Sequence, residues 1–296
     1  MVNRVRKLIF GCGYLGMRVA TRWVEDGAAV FAVTRDYEKA YQLRDSGITP
    51  LVADIMALDT LKNLPETDTV LFAVGHDRHS GRSIRQVYVD GLQNVLERLP
   101  SGIKRLIYVS STGVYGQSDD AWVDEQSPCE PTREGGRACG QAELSLRDHP
   151  LGPRTVILRT AGIYGPGRIP RRKELLAGLP IEAPSEGYLN LIHVDDAASV
   201  VIAAEKHAPL PSLYCVSDGH PVVRREYFRE LATLLGAPEP TFRPPPAGSP
   251  ATERASASKR ISNRRMLAEL GVELQHPSYR EGLAAIVQAS LPSSRK

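Results

Sequence analysis

Cysteine is scarce in this chain, and the few cysteines are widely separated. Among 296 residues there are four, with no Cys-x-x-Cys pair and no histidine cluster beside them: Cys12, Cys129, Cys139 and Cys215. Disulfide frameworks and structural zinc sites need closely spaced cysteines, so the sequence argues against both. A reducing compartment suits free thiols, and we expect a cytoplasmic protein without a bound metal.

Charge of one sign and long apolar runs are also lacking. The 37 basic and 34 acidic residues leave a formal charge of +3, too small for an electrostatic nucleic-acid surface. The longest apolar runs reach about eight residues, as in AASVVIAA from Ala197, whereas a membrane-spanning helix needs about 20. The apolar part of the N-terminal segment is too short and too broken by glycine for a secretory signal. We therefore expect neither nucleic acid nor membrane as a partner.

Short apolar runs alternate with polar, helix-length stretches through the first half of the chain. Six runs stand out: 8–10, 28–33, 50–52, 70–74, 106–109 and 156–158. Most are rich in Val and Ile and are bounded by Gly, Asp or Ser, as parallel strands buried on both faces are. Their alternation with helical stretches predicts an α/β protein with a Rossmann-like, doubly wound parallel sheet. Between the fourth and fifth runs, an apolar stripe predicts a helix packed on the sheet over 84–99.

The C-terminal part has a different character. Residues 237–250 contain six prolines in fourteen positions, which predicts a loop or an extended connector rather than the interior of a strand. Helical patterns flank this segment at 225–235 and 262–270. We expect the tail, 290–296, to be frayed.

A glycine-rich turn follows the first apolar run. The segment GCGYLG sits where a first strand passes into an amphipathic helix, which is the context that dinucleotide binding requires. Gly11 permits the tight turn, Gly13 lets a pyrophosphate approach the backbone, and Gly16 lets the helix pack closely on the strand. The N–H groups at the start of the helix face the phosphates. We assign this whole turn to the cofactor: Gly11, Gly13, Tyr14, Leu15 and Gly16.

The end of the second strand bears on which dinucleotide binds. An NAD site usually carries Asp or Glu there to bind the ribose 2′-hydroxyl, whereas this chain has neutral Thr34 and cationic Arg35. That pair would attract a 2′-phosphate, so the sequence favours NADP. Asp36 keeps NAD possible, because a shift of one residue would restore the acid.

Further cofactor contacts are predicted at the ends of the third and fourth strands. Asp54 and Ile55 follow the third strand, where the carboxylate could meet the adenine amino group. The fourth strand ends in small residues suited to lie beside the cofactor: Ala73, Val74 and Gly75. An ordinary strand end is the alternative at both places.

Several segments resemble the extended short-chain dehydrogenase/reductase family, the NAD(P)-dependent epimerases and dehydratases that act mainly on nucleotide sugars. The resemblance covers roughly residues 7–285 and rests on these segments: GCGYLG (11–16), VYVDGLQNVLE (87–97), IYVSSTGVYG (107–116), DEQSPCEP (124–131), ILRTAGIYGPG (157–167), LIHVDDAA (191–198) and SKRISNRRMLAELGVELQHPSYREGL (258–283). It implies a NAD(P)-binding Rossmann domain over 1–165, with a contribution from about 189–216. A smaller substrate-binding subdomain is then expected over 166–188 and 217–296.

The resemblance implies a catalytic Ser, Tyr and Lys, of which only the first is present. Ser111 falls at the serine position, where it would hydrogen-bond the substrate oxygen. The tyrosine and lysine positions fall on Gly135 and Cys139. No shift of register supplies the pair, because no Tyr lies between positions 115 and 164 and no Lys between 104 and 173. The chain is therefore identified as an atypical member.

The segment that should carry the missing pair raises a structural question. Gly135, Gly136 and Gly140 lie within a predicted helix, and each lowers helix stability by up to ~1 kcal/mol relative to Ala. Either the helix starts late, near Arg137, or another part of the backbone approaches closely. Arg137 is also a candidate ribose clamp in place of the lysine, and Cys139 is a nucleophile if its thiolate is stabilised.

Other side chains could take part in the chemistry. Tyr115 and Tyr164 follow the fifth and sixth strands, where loops border the ligand crevice, so either could donate a proton or stack on substrate. His193 has a pKa suited to acid–base work, although the resemblance places it at the start of a helix. Guanidinium groups suit phosphate or carboxylate, and a basic cluster follows YGPG in the segment that the resemblance assigns to the substrate pocket: Arg168, Arg171 and Arg172, with Lys259 and Arg260 further along.

Two functions remain open. The retained Ser111 and substrate segments indicate an NADP-dependent oxidoreductase or epimerase with a remodelled active site, acting on a nucleotide sugar or another polar, phosphate-bearing molecule. The missing Tyr and Lys indicate instead an NADP(H)-binding sensor or scaffold without turnover. Either would bind a small molecule. We expect a monomer or a homodimer, because the helix through which family members pair is the one that carries the glycines.

Overall fold

A computed structural model describes residues 4–246, 252 and 257–290. Seven strands form its central sheet: β1 (Arg6–Phe10), β2 (Ala29–Thr34), β3 (Thr49–Val52), β4 (Thr69–Phe72), β5 (Arg105–Ser111), β7 (Thr155–Thr160) and β12 (Ser212–Val216). The other strands are short: β6 (Trp122–Val123), β8 (Gly162–Tyr164), β9 (Ile181–Glu182), β10 (Tyr188–Leu189), β11 (Leu191–His193), β13 (Val222–Val223), β14 (Phe242–Arg243) and β15 (Arg260–Ile261). All six strands predicted from the sequence are present.

The central sheet is parallel throughout, in the order β12-β7-β5-β4-β1-β2-β3. Every residue of β4 and β7 is buried, as expected of strands that are covered on both faces. The chain order reverses direction between β1 and β4, which is the switch point where ligands bind in such sheets. The predicted Rossmann-like, doubly wound sheet is therefore confirmed.

Helices cover both faces of the sheet. They are α1 (Tyr14–Glu25), α2 (Tyr37–Asp45), α3 (Gly91–Arg98), α4 (Glu134–Asp148), α5 (Arg172–Leu176), α6 (Val194–His207), α7 (Arg224–Leu235), α8 (Arg264–Leu270) and α9 (Tyr279–Ser290). Apolar side chains of α1, α6 and α8 form the core on one face, and those of α3 and α4 form the core on the other. Within the described residues, none of these helices has the length and apolar character needed to cross a membrane.

The helix predicted over 84–99 is present, but it is not uniform. Its middle, Gln86–Asp90, is a π-helix that leads directly into α3. The predicted apolar stripe is buried against the sheet at Val87, Leu92 and Val95. A π-helix adds a residue to one turn and so changes which side chains face the neighbouring elements.

A third apolar core lies in the C-terminal part, mainly between α7 and α9. The helices predicted at 225–235 and 262–270 are α7 and α8. The loop or extended connector predicted over 237–250 contains a two-residue strand at Phe242 and Arg243, because β14 pairs there with β9. Residues 247–250 of that connector, and residues 291–296 of the predicted frayed tail, lie outside the described residues.

Part of the C-terminal segment returns to the first half of the chain. β15 pairs in parallel with β6, and α8 packs Met266 and Leu270 into the core formed by α1 and α6. The division into a Rossmann domain and a subdomain stays a prediction. Within the subdomain expected over 217–296, Met266 and Leu270 pack against the core of the sheet domain.

Candidate active site

A deep cleft opens at the carboxyl ends of β1, β2, β4 and β5. Its volume is about 1450 Å³, and residues of α4 and of the π-helix contribute to its lining. Parallel sheets bind ligands at this edge, because the loops leaving the strands separate there. The residues assigned to the cofactor line this cleft, with the exception of Gly16: Gly11, Gly13, Tyr14, Leu15, Thr34, Arg35, Asp54, Ile55, Ala73, Val74 and Gly75.

The three glycines of the turn have different surroundings. Gly11 has φ +88°, and a Cβ built there would lie 2.4 Å from the Ala73 carbonyl oxygen. A Cβ on Gly16 would lie 2.3 Å from the Gly11 carbonyl oxygen, so both positions are closed by backbone. At Gly13, in contrast, no atom of the described residues other than its chain neighbours lies within 4 Å of the added carbon. That open space at the start of α1 is where a pyrophosphate would meet the helix N–H groups.

The end of β2 presents positive charge to the cleft. Arg35 is exposed and lines the cleft, as does Lys39 on α2, which the sequence did not single out. Asp36 caps α2, its carboxylate accepting from the Glu38 N–H at 2.8 Å. The acid that kept NAD possible is therefore engaged by its own helix.

Asp54, which the sequence predicts to contact the adenine amino group, forms an ion pair with Arg82. Its carboxylate accepts two bonds from the Arg82 guanidinium, at 3.1 and 2.9 Å. Burial opposes its charge, but these bonds and one from the Met56 N–H together hold the pKa of Asp54 below its ordinary value. A direct contact with adenine would compete with Arg82.

Ser111 ends β5 and lines the same cleft. Its Oγ accepts a bond from the Gly113 N–H at 3.0 Å, which fixes the side chain above the turn Thr112–Val114. Arg133 is close by, since its guanidinium lies 3.4 Å from the position that a Cβ on Gly113 would occupy. A hydroxyl and a guanidinium therefore share this end of the cleft.

The first turn of α4 shows why glycines occur in this helix. The helix begins at Glu134, so the expectation of a late start near Arg137 was wrong. Close approach is the reason, because a Cβ on Gly136 would lie 2.1 Å from the Gly113 carbonyl oxygen. Arg137 is exposed and donates to the Thr132 carbonyl oxygen at 2.6 Å, and it does not line the cleft. A ribose clamp at Arg137 has no support from this placement.

Gly135 and Cys139 both line the cleft, but Cys139 is almost wholly buried. Burial raises the pKa of the Cys139 thiol to about 12. A thiol with that pKa is protonated at neutral pH, so a nucleophilic thiolate at Cys139 is disfavoured.

Tyr115 and Tyr164 do not line the cleft, contrary to the expectation from their loops. Each is 1% exposed. The Tyr115 hydroxyl lies 2.8 Å from the Arg159 guanidinium and 3.1 Å from the Cys215 Sγ. Tyr164 packs edge-on against His193 in the core. Their positions in the core argue against the proton-donor and stacking roles considered from the sequence.

Of the clustered arginines, only Arg168 lines the cleft, with its guanidinium 5.4 Å from the centre of the Tyr14 ring. Arg171 pairs with Glu174 at 2.7 Å, and Arg172 begins α5 in an exposed position. The substrate-binding role expected of Arg171 and Arg172 is therefore not supported.

Lys259 and His193 are also buried away from the cleft. The Lys259 ammonium donates to the Tyr115 carbonyl oxygen at 2.6 Å, and burial, followed by the charge of Arg133, lowers its pKa to about 8. His193 caps α6 through its Nδ1, as the resemblance implied. It also approaches Asp196 and His276, with ligand atoms within 4.8 Å of one another, but the two imidazole rings stack 3.7 Å apart.

Restoring the missing pair with Gly135→Tyr and Cys139→Lys is expected to leave reductase activity near background. A Cβ at Gly135 would lie 3.2 Å from the Ile84 Cδ1, and a lysine at position 139 would bury its ammonium. Catalysis needs the phenol within ~3 Å of the substrate oxygen, which this crowding opposes. NADPH oxidation would be assayed over nucleotide sugars and simple carbonyls, after a thermal melt confirms folding. A gain of ~100-fold or more would show that the rest of the site is poised and only two side chains are missing.

Comparison with known proteins agrees with this architecture. A sequence model described as the NAD dependent epimerase/dehydratase family matches residues 8–215. The protein YeeZ of Escherichia coli K12 is 31% identical over 281 residues, which are 91% of this chain and 95% of that protein.

Two solved structures illustrate the range of the similarity. A functionally unknown conserved protein from Silicibacter pomeroyi superposes with a TM-score of 0.80 at 30% identity, over 96% of this chain and 98% of the other. A UDP-glucose 4-epimerase from Bifidobacterium longum, solved with NAD⁺ and UDP, gives a TM-score of 0.78 at 18% identity, over 96% and 97% of the two chains. At that identity the second likeness shows the fold alone.

Proposed function

The chain belongs to the NAD dependent epimerase/dehydratase family, and from this premise we propose that it is an NADP(H)-dependent oxidoreductase or epimerase with a remodelled active site. Its substrate would be a nucleotide sugar or another polar, phosphate-bearing molecule. A cytoplasmic location belongs to the proposal, because the four cysteines are unpaired. So does a monomeric or homodimeric state.

The observation that carries the proposal is the contrast within the glycine turn. Gly11 and Gly16 are closed by backbone, whereas the space above Gly13 is open. A fold that needed glycine only for packing would have no reason to leave the middle position empty at a helix N-terminus. The open space fits a pyrophosphate, whose charge the helix N–H groups would bind.

The residues around the cleft fit a nicotinamide dinucleotide along its length. Gly13 and the start of α1 would hold the pyrophosphate, and Arg35 with Lys39 would hold the 2′-phosphate. Such a cofactor, when bound, accepts or supplies a hydride. Ser111 would orient the substrate oxygen at the far end, while Arg133 and Arg168 would bind anionic groups of the substrate.

A cofactor-binding sensor or scaffold without turnover is the second candidate. It is favoured by the absence of a side chain at Gly135 and by the protonated, buried thiol at Cys139. Gly135 has no group that could hold a proton, and burial opposes ionisation of the Cys139 thiol. A sensor would still bind NADP(H) in the same cleft, so cofactor binding alone does not separate the two.

Turnover separates them. The purified protein would be mixed with NADPH or NADP⁺ and a panel of nucleotide sugars and simple carbonyl or hydroxyl compounds, followed by cofactor absorbance and by product analysis for epimers. Turnover that falls on Ser111→Ala would exclude the sensor. No turnover over the whole panel, together with partner binding that depends on the cofactor, would exclude the enzyme.

Removing Arg35 is expected to weaken the preference for NADPH, while Lys39 remains as a second positive charge at the cleft. Arg35→Ala loses a charge-assisted bond of roughly 1.5–3 kcal/mol. NADPH should therefore bind about ten- to a hundredfold more weakly, while NADH binding changes little. Titration calorimetry would compare wild type, Arg35→Ala and Arg44→Ala, which removes an exposed arginine at the other end of α2. Equal affinities of wild type for NADPH and NADH would contradict the assignment.

A further inference from the structure

The π-helix brings one tyrosine into the cleft that the sequence pattern did not single out. Tyr88 lies in the middle of the π segment Gln86–Asp90, which precedes α3. Its side chain is half-buried and lines the cleft together with Ser111, Gly135 and Cys139. π-Helical turns are rare and often occur at functional sites, because they re-aim side chains that a regular helix would direct elsewhere.

The segment that carries Tyr88 packs against the place where the expected tyrosine is missing. Ile84, four residues earlier, puts its Cδ1 3.2 Å from the position of a Cβ on Gly135. The Tyr88 ring packs against the apolar cluster that contains Cys139 and Val114. The π segment is therefore a neighbour of Gly135 through Ile84, and Tyr88 itself is a neighbour of the cluster that contains Cys139.

The Tyr88 hydroxyl is held for proton transfer. Its Oη accepts a bond from the His76 N–H at 3.2 Å, which fixes the oxygen and would stabilise a phenolate. Burial raises the pKa of Tyr88 above its ordinary value, the His76 amide and the Arg168 charge oppose this, and the nearby Cys139 adds to it. The His76 Nε2 lies 2.8 Å from the Arg82 carbonyl oxygen, so the imidazole has a partner of its own.

Three tyrosines line the cleft among the described residues, and the other two are less suited to proton transfer. Tyr14 donates its hydroxyl to the Pro166 carbonyl oxygen at 3.0 Å. Tyr108 is 2% exposed, and its ring packs against Phe72 in the sheet core. Of these three tyrosines, only Tyr88 is partly exposed and also accepts a hydrogen bond from a backbone amide, that of His76.

We propose that Tyr88 is the catalytic acid–base of this site, in place of the tyrosine that Gly135 lacks. The inference rests on the proposed function. In the reduction of a carbonyl compound, the carbonyl carbon would gain a hydride and form a new C–H bond; a bound reduced nicotinamide would supply that hydride and become oxidised. The electron pair of the C=O π bond moves to oxygen, which takes the proton of the Tyr88 Oη. The resulting phenolate takes a proton from water, and alcohol oxidation runs the same steps in reverse.

The test compares Tyr88→Phe with wild type and with Tyr41→Phe, which removes a hydroxyl from a residue 64% exposed on α2. Calorimetry with NADP⁺ and NADPH gives the cofactor affinity of each protein. The ultraviolet absorbance of tyrosinate, followed against pH as the difference between wild type and Tyr88→Phe, gives the titration of Tyr88 itself. Turnover is measured on the compounds that the substrate panel identifies.

The proposal predicts unequal effects on binding, titration and turnover. The cofactor affinity of Tyr88→Phe should stay within about threefold of the wild-type value, because the lost hydroxyl is not among the groups proposed to bind the cofactor phosphates. With NADP⁺ bound, the titration midpoint of Tyr88 should lie about one pH unit or more below that with NADPH, because the oxidised ring carries a positive charge. Turnover should fall by ~100-fold or more in Tyr88→Phe and be unchanged in Tyr41→Phe.

Failure of the inference and failure of the proposed function have different signatures. If wild type binds neither NADP⁺ nor NADPH, the proposed function falls and the inference falls with it. If both bind, a midpoint equal in the two complexes overturns the role of Tyr88 and leaves cofactor binding intact. Turnover that survives Tyr88→Phe overturns it as well. If no compound of the panel is turned over, the comparison of the Tyr88 titration midpoints in the NADP⁺ and NADPH complexes decides whether the role of Tyr88 stands.

Discussion

Replacing Gly13 with valine is expected to abolish dinucleotide binding while the protein stays folded. Among the described residues, and leaving its chain neighbours aside, no atom lies within 4 Å of a Cβ on Gly13, so the first carbon of the new side chain meets no other part of the protein. It fills the space that the pyrophosphate needs and prevents charge-assisted bonds of roughly 1.5–3 kcal/mol each. Loss of two such bonds weakens binding by about 10²–10⁴-fold. Titration calorimetry and a thermal melt on the same sample measure both properties.

Two other glycines provide matched controls for that substitution. Gly16→Ala should lower the melting temperature, because its Cβ would lie 2.3 Å from the Gly11 carbonyl oxygen. Gly140 lies inside α4 and does not line the cleft, and among the described residues no atom beyond its own helix lies within 4 Å of an added Cβ. Gly140→Ala should leave binding unchanged and raise stability by ~0.5–1 kcal/mol. Cofactor binding that survives Gly13→Val would remove the observation on which the proposed function rests.

Replacing Glu143 with leucine is expected to lower the free energy of unfolding by ~3–5 kcal/mol, because it leaves a buried charge without its partner. Glu143 on α4 is 2% exposed and Arg159 on β7 is 4% exposed. The guanidinium donates through Nε and Nη2, the latter at 2.7 Å, and the Ser110 hydroxyl donates to the same carboxylate at 2.5 Å. In the variant, the Arg159 guanidinium keeps its bond to Tyr115 but has no counter-charge.

Urea denaturation of three variants separates the charge from the packing. Glu143→Leu and Arg159→Leu each leave one buried group of the pair behind. The double replacement leaves no unpaired charge and should lose less stability than Glu143→Leu alone, because buried ion pairs exchange for apolar side chains at little loss. A double variant whose loss equals the sum of the two single losses would show that the pair is not coupled.

The fold and the glycine turn could be predicted because they depend on short stretches of chain. Strand runs and the spacing Gly11, Gly13, Gly16 are local patterns, and each fixes the backbone around it. The same holds for Arg35, which follows its strand directly. The predictions failed where a side chain's fate depends on distant residues. Nothing near Asp54 in the sequence indicates that Arg82, 28 residues later, takes its carboxylate.

Two tyrosines show the same limit of prediction from local sequence: Tyr115 is expected at the cleft and is buried, whereas Tyr88 is not expected there and lines it. Tyr115 follows a strand end, where a loop position at the crevice is the natural expectation, but buried Arg159 requires a polar neighbour and takes its hydroxyl. Tyr88 stands beside an apolar stripe and has no local mark of function. Its place in the cleft depends on one extra residue in a helical turn, which a search for regular helical periodicity does not detect.

The strand β15 pairs with β6 but is synthesised long after it, so this part of the fold cannot be completed until late in translation. Lys259 supports the Tyr115 carbonyl across 144 residues of sequence, at the turn that follows Ser111. At a translation rate of about 5–20 residues per second, that turn waits roughly 7–29 s for its support to be made. Until then Val123 lacks its buried neighbour Ile261. The glycine turn packs against Ala73 and Val74, so these contacts lie within the first 75 residues of the chain. These residues are synthesised long before Lys259, which contacts the turn after Ser111.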